Sequence, residues 1–185
     1  MYQLKRATCI NGSFAQISEQ WLAQIAEYNG TSEPEDYLPV MMSHAQQIAG
    51  ESPPDRKYGI FYLEGVGEDG RPSYEGLIHV NHKLPNTSAA TLRMVWNLLA
   101  PKYDYIDTSA IGSIMASYVV GGIRLCRTDM RSASLQVYLH NGTDRQYALG
   151  AVGLLKELHP ELDVNVRGMW LHINNINVQR AGDIR

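Results

Sequence analysis

The sequence predicts an α+β protein whose helices cover the faces of a mixed β-sheet, and three stretches carry that expectation. Two strand-like runs, Lys57 to Val66 and Tyr74 to Leu84, flank a loop of glycine, acidic residues and proline at 67–72, the pattern of an antiparallel hairpin. Leu92 to Cys126 reads as a strand, a short polar elbow and a helix, and Ser134 to His140 follows as another strand. The first fifty residues hold two amphipathic helices. An antiparallel hairpin beside a strand–helix–strand crossover requires a sheet of mixed direction.

In chain order, Tyr2 to Cys9 alternates loosely as a first strand, and Asn11, Gly12 and Ser13 supply a turn and a helix cap. Phe14, Ile17, Trp21, Leu22, Ile25 and Tyr28 recur at steps of three and four, with Asn29-Gly30 as the stop. A second helix starts near Ser32, Glu33 and Pro34 or, a turn later, at Pro39. Its apolar stripe is Tyr37, Leu38, Met41, Met42, Ala45 and Ile48, and Gly50 with Pro53-Pro54 ends it. Pro85, Asn86 and Ser88 break the chain before Leu92 to Ala100, an apolar strand that stops at Pro101.

Asp107, Thr108 and Ser109 then offer three N-caps for a helix with Ile111, Ile114, Met115, Tyr118, Val119, Gly122, Ile123 and Cys126 on one side. Gly121-Gly122 inside it costs about 1 kcal/mol per glycine against alanine and marks either close packing or an early end. After Ser134 to His140, Asn141-Gly142 turns into a helix carrying Tyr147, Leu149 or Gly150, Val152, Leu154, Leu155 and Leu158, closed by His159-Pro160. Asp163 to Ile173 returns to strand periodicity, and 174–185 is a polar, irregular tail.

With 185 residues the chain suits one domain, 1–185, able to bury its own core. A net charge of −3 lacks the basic excess of a nucleic-acid binder. No apolar run is long enough to span a bilayer, and MYQLKRATC is no signal peptide, so the expectation is a cytoplasmic protein with neither membrane nor nucleic acid as partner. Cys9 and Cys126 match no metal spacing and are expected as reduced core thiols. No zinc site, nucleophile elbow, Walker lysine loop or dinucleotide fingerprint occurs.

A helix start facing a strand end presents free N–H groups and the positive end of a helix dipole, which suits a phosphate. This order of elements resembles the GNAT superfamily of acyl-CoA-dependent N-acyltransferases from the first strand to the Trp170 strand. The resemblance implies a GNAT-like, mostly antiparallel mixed sheet of six to seven strands flanked by four helices. It also implies transfer of an acetyl or other short acyl group from coenzyme A to a small-molecule or peptide amine, without a metal, and it leaves a homodimer open.

In that family the amides of a Q/R-x-x-G-x-G/A elbow hold the coenzyme A diphosphate. The matching residues are Asp107, Thr108, Ser109, Ala110, Ile111 and Gly112, of which Gly112 fits strictly and Ala110 replaces the first glycine. Asp107 brings a carboxylate where the family has Gln or Arg, costing on the order of 1 kcal/mol in water and more if shielded, with Lys102 as a partial offset. The alternative role of Asp107 is a helix cap. Backbone amides of Asn97, Leu98 and Leu99 would receive the thioester oxygen.

For the base, Glu75 and His79 share one strand face with Leu77 and Asn81, while Tyr138 and His140 share a face where an acceptor amine would approach. Asn141 matches the residue that often ends the fifth strand of the family. Its tyrosine acid falls near Leu149, and the nearest hydroxyl, Tyr147, points roughly 200° away around a helix. Trp21, Trp96 and Trp170 are expected as core anchors, and Tyr103, Tyr105 and Tyr118 as rings lining a pocket at the elbow. The rival to an enzyme is a binding module of the same fold that has lost acyl-CoA, which Asp107, Ala110 and Leu149 favour.

Overall fold

The computed structural model describes residues 2–29, 37–83, 90–104 and 109–176. Its strands are β1 (Gln3–Arg6), β2 (Tyr58–Val66), β3 (Pro72–His82), β4 (Thr91–Leu99), β5 (Ser134–Tyr138), β6 (Asp163–Arg167) and β7 (Trp170–Asn174). The helices are α1 (Ser13–Asn29), α2 (Tyr37–Ala49), α3 (Ser109–Arg127) and α4 (Gly142–Leu158). The strands form one seven-stranded sheet in the order β1-β2-β3-β4-β5-β7-β6. Pairing is antiparallel for β1/β2, β5/β7 and β6/β7 and parallel for β4/β5, so the fold is α+β with a mixed, mostly antiparallel sheet. The expected break at residues 85–88, the entry of the second helix at 32–34 and the tail beyond 176 lie outside the described residues.

The chain groups into two compact units, Met1–His79 with Asn97–Ser117, and Val80–Trp96 with Tyr118–Arg185. In the first, α1 buries Phe14, Ile17, Trp21 and Ile25, the stripe its spacing predicts. Leu22, assigned to that stripe, is 57% exposed because a helix of this width covers only one side. Trp21 is buried whole, and its Nε1 donates to the Tyr74 carbonyl at 2.9 Å, so the ring packs without orphaning its N–H. Gly67 N donates to Arg71 O at 2.8 Å and closes the β2–β3 loop, which is too short for a crossover and makes that pair antiparallel. Gly70, at φ 78°, supplies the left-handed residue this loop needs.

In the second unit, the ladder of β4 with β5 runs from Thr91↔Ser134 to Met94↔Val137. The mid-helix glycine Gly122 has a packing cause: a Cβ there would sit 2.8 Å from Leu135 Cδ2 and 3.0 Å from Met94 Sδ. The helix therefore lies close on the Leu92, Met94 and Leu135 surface, burying Tyr118, Val119, Ile123 and Cys126. The single strand expected over Asp163 to Ile173 is corrected to a hairpin, since Gly168 at φ 58° reverses the chain and sets Arg167 against Trp170.

Helix α4 begins at Gly142, before its first large apolar residue. Asn141 caps it, accepting from Asp144 N at 2.9 Å, and Asp144 in turn accepts from His140 N at 2.9 Å. Only Ala148 of this helix is buried, and Tyr147, Leu154 and Leu158 of the expected stripe are exposed. Cys126 is a buried thiol pushed up to about 12 by burial, whereas Cys9, also expected in the core, is exposed.

Candidate active site

In β4 the sequence Thr91 to Leu99 changes environment halfway along. Leu92 and Met94 are buried, yet Val95, Trp96, Leu98 and Leu99, equally apolar, are half-exposed. The ladder with β5 has already ended at Met94, with Val95 and Trp96 beyond it. Trp96 is therefore no core anchor. Asn97, Leu98 and Leu99 continue the strand in the first unit, where Asn97 Nδ2 lies 3.5 Å from Met115 Sδ on α3. The strand then enters a 3-10 turn, Pro101–Asp104, that the sequence reading had not resolved from the elbow.

That turn is fastened to β3 by a polar cluster in the core. Glu75 is 3% exposed; its carboxylate accepts from Lys102 Nζ at 2.7 Å and from the hydroxyl of Tyr103. Lys102 Nζ also reaches Ser73 Oγ at 3.2 Å, and Ala100 N donates to the Glu75 carbonyl at 3.0 Å. Gln24 of α1 accepts from Lys102 N at 3.2 Å. Gly65 leaves room for the Tyr2 ring beside Glu75: a Cβ there would meet that ring at 2.8 Å and Glu75 Oε1 at 3.3 Å.

Burial alone would raise the Glu75 carboxyl, but hydrogen bonds from Lys102, Tyr103 and Ser73 outweigh it and hold the group below its ordinary value. Burial, with the bond to Glu75, pushes the Tyr103 phenol far up. Lys102 is thus bound to Glu75, not aimed at a diphosphate. A carboxylate that is buried, saturated and weakly basic is ill suited to taking protons from a substrate. The sequence signal for this cluster was a lone carboxylate beside Leu77 on a strand face, a position that needs a cation if the face is buried.

His79, on the same strand, is half-exposed, and its ring meets that of His44 on α2 edge-on, centroids 6.1 Å apart. His44 also lines an open groove of about 430 Å³ with Val40, Ser43 and Gln47. Asp107 and Thr108 of the elbow lie outside the described residues, as does Tyr105, while Ser109, Ala110, Ile111 and Gly112 form the first turn of α3. Tyr103 and Tyr118 do not line a pocket; they are 8% and 0% exposed and fill the core.

The remaining candidates lie in the second unit. Tyr138 is half-exposed between the rings of His140 and Trp170, at 5.1 and 5.0 Å, so Trp170 belongs to a surface aromatic group instead of the core. Asn141 is engaged as the α4 cap, and Tyr147 is 39% exposed. A polar row that the sequence reading missed crosses this unit's sheet. Asn81 accepts from Arg93 Nε at 3.1 Å, Arg93 stands opposite Gln136 in the β4/β5 register, and Gln136 Nε2 lies 3.3 Å from His172 Nδ1. Burial, then the nearby charges of Arg167 and Lys83, lowers the His172 imidazole from its ordinary value. Among the described residues no group of three or more His, Cys, Asp or Glu could hold a metal ion, and no helix is long and apolar enough to cross a membrane.

No family model and no curated protein matches this chain. Among solved structures it is similar to a protein from Desulfovibrio desulfuricans assigned to the GNAT family of acetyltransferases, at 15% identity and a TM-score of 0.41 over 94% of this chain and 96% of that one. It is also similar to a chain of the KacTA–DNA complex, at 11% identity and a TM-score of 0.42 over 76% of this chain and 80% of the other. A third is AtaTR bound with AcCoA, at 9% identity and a TM-score of 0.38 over 78% and 82%. At such identities no residue's role carries over from one chain to another.

Proposed function

We propose that this chain is an N-acyltransferase that moves an acetyl or other short acyl group from acyl-CoA to an amine. The observation that carries the reading is the end of β4, where an apolar strand has passed the end of its pairing with β5 at Met94 and stays half-exposed to Leu99. Strand amides at Asn97, Leu98 and Leu99 are suited to the thioester oxygen, and the first-turn amides of α3, from Ser109 to Gly112, to the diphosphate.

In the reaction the amine nitrogen attacks the thioester carbon, the C–N bond forms, the C–S bond breaks, and the thiolate leaves and is protonated. His79 is the base in this reading, since an imidazole nitrogen can accept a proton from an amine and this ring stands half-exposed on β3. Glu75 serves instead by holding the turn that leads to α3.

Isothermal titration with acetyl-CoA tests the proposal. Micromolar binding that Gly112→Glu abolishes is the expected result. Binding absent at millimolar ligand removes the transferase and leaves a binding module of the same architecture.

A further inference from the structure

Strand β6 is an edge of the sheet, and among the described residues no strand pairs with its outer side. Exposed edges invite a second strand, and proteins guard them with charges, prolines or bulges. β6 reads Asp163-Val164-Asn165-Val166-Arg167, with no proline and no left-handed residue, so its guards are the two end charges. Those charges are opposite in sign and symmetric about Asn165. When the strand is turned antiparallel against itself, Asp163 falls opposite the partner subunit's Arg167, Val164 opposite the partner's Val166, and Asn165 lies on the two-fold.

Neither charge is in an ion pair among the described residues. Asp163 accepts only from neutral amides, Asn174 Nδ2 at 3.1 Å and Asn165 Nδ2 at 3.5 Å, and Arg167 is in no ion pair among the described residues; both side chains are exposed. Asp163, Asn165 and Arg167 share one face by the period of two, and Val164 on the other is fully buried, so a slip of one residue would expose it. Asn165 Oδ1 is buried without a hydrogen-bond partner among the described residues. Rotation of that side chain across a two-fold lets the two amides satisfy each other.

We infer that two copies of this chain join by antiparallel pairing of their β6 edges about Asn165, with Asp163 and Arg167 forming two symmetric ion pairs. The contact is isologous and closes as a dimer. The same charges that admit a second copy reject strands lacking this pattern. The inference stands apart from acyl transfer and is tested without it.

Sedimentation equilibrium of the full chain across micromolar concentrations should show twice the chain mass. Asp163→Arg and Arg167→Asp should each weaken the dimer about tenfold or more, because either reversal sets two like-charge pairs across the contact. The double variant D163R/R167D recreates both ion pairs and should return to within about threefold of the original, as coupled sites do. Both positions are exposed, and circular dichroism checks that each variant folds. A monomeric parent chain, a dimer indifferent to both single reversals, or a double variant as weak as the singles overturns the inference.

Discussion

The turn held by Glu75 and the helix α4 distribute their chemistry in opposite ways. At Glu75 a carboxylate, an ammonium and a phenol lie inside the first unit, each satisfied by the others. In α4 tyrosine and leucines lie outside, and Ala148 is the only buried residue. The contrast teaches that composition does not fix depth: a polar group goes inside where its partners are assembled, and an apolar one stays outside where no neighbour arrives to cover it.

The largest way to break the contrast is Glu75→Ala, which strands the Lys102 charge and the Tyr103 hydroxyl. Urea unfolding should show a loss of about 3–5 kcal/mol, as when one partner of a buried pair is removed. An unchanged midpoint would mean that the cluster is hydrated in solution. The same carboxyl gives the contrast a pH signature. Its folded value lies below the ordinary 4.5, so its contribution is fully present above that pH and is lost as pH falls through the folded value. Between about pH 5 and about pH 3 the midpoint should therefore fall less in Glu75→Gln than in the parent, the carboxylate contribution being gone.

Glycines sharpen the comparison next. Gly122→Ala puts a methyl against Leu135 and Met94 and should cost about 1–3 kcal/mol by overpacking. Gly150→Ala on α4 meets nothing within 4 Å and should stabilise by up to about 1 kcal/mol through helix propensity. Equal signs for the two in thermal denaturation would show that α4 is covered in solution or that α3 sits further from the sheet. Asn141→Ala removes the α4 cap and should cost about 1 kcal/mol in the same assay. The smallest effect is expected of Leu154→Gln, within about 0.5 kcal/mol for an uncovered side chain; a larger loss would mean that the leucine packs against something in solution.

Much of this fold was legible beforehand. The α1 stripe, the β2–β3 hairpin, the strand at Leu92 and the α3 spacing are local patterns that report a period, and the period survives folding. The Asp163 to Ile173 segment was misread because the alternation continues through Gly168, and only the positive φ there reveals the reversal. Of the candidate site, Glu75 and His79 were singled out by their shared strand face, yet their different surroundings were invisible. Lys102 and Tyr103 lie more than twenty residues from Glu75, and no local rule connects them.

By itself the sequence determined which segments are helices and strands, and which sides of them are apolar, because both follow from neighbours three, four or two residues away. Tertiary structure alone decided that Trp96 would stay half-exposed, that Lys102 would turn inward to Glu75, and that β6 would stand at an edge with its end charges in no ion pair among the described residues. Those outcomes depend on which distant side chains arrive at the same place, and burial and hydrogen bonding become defined only once they have arrived.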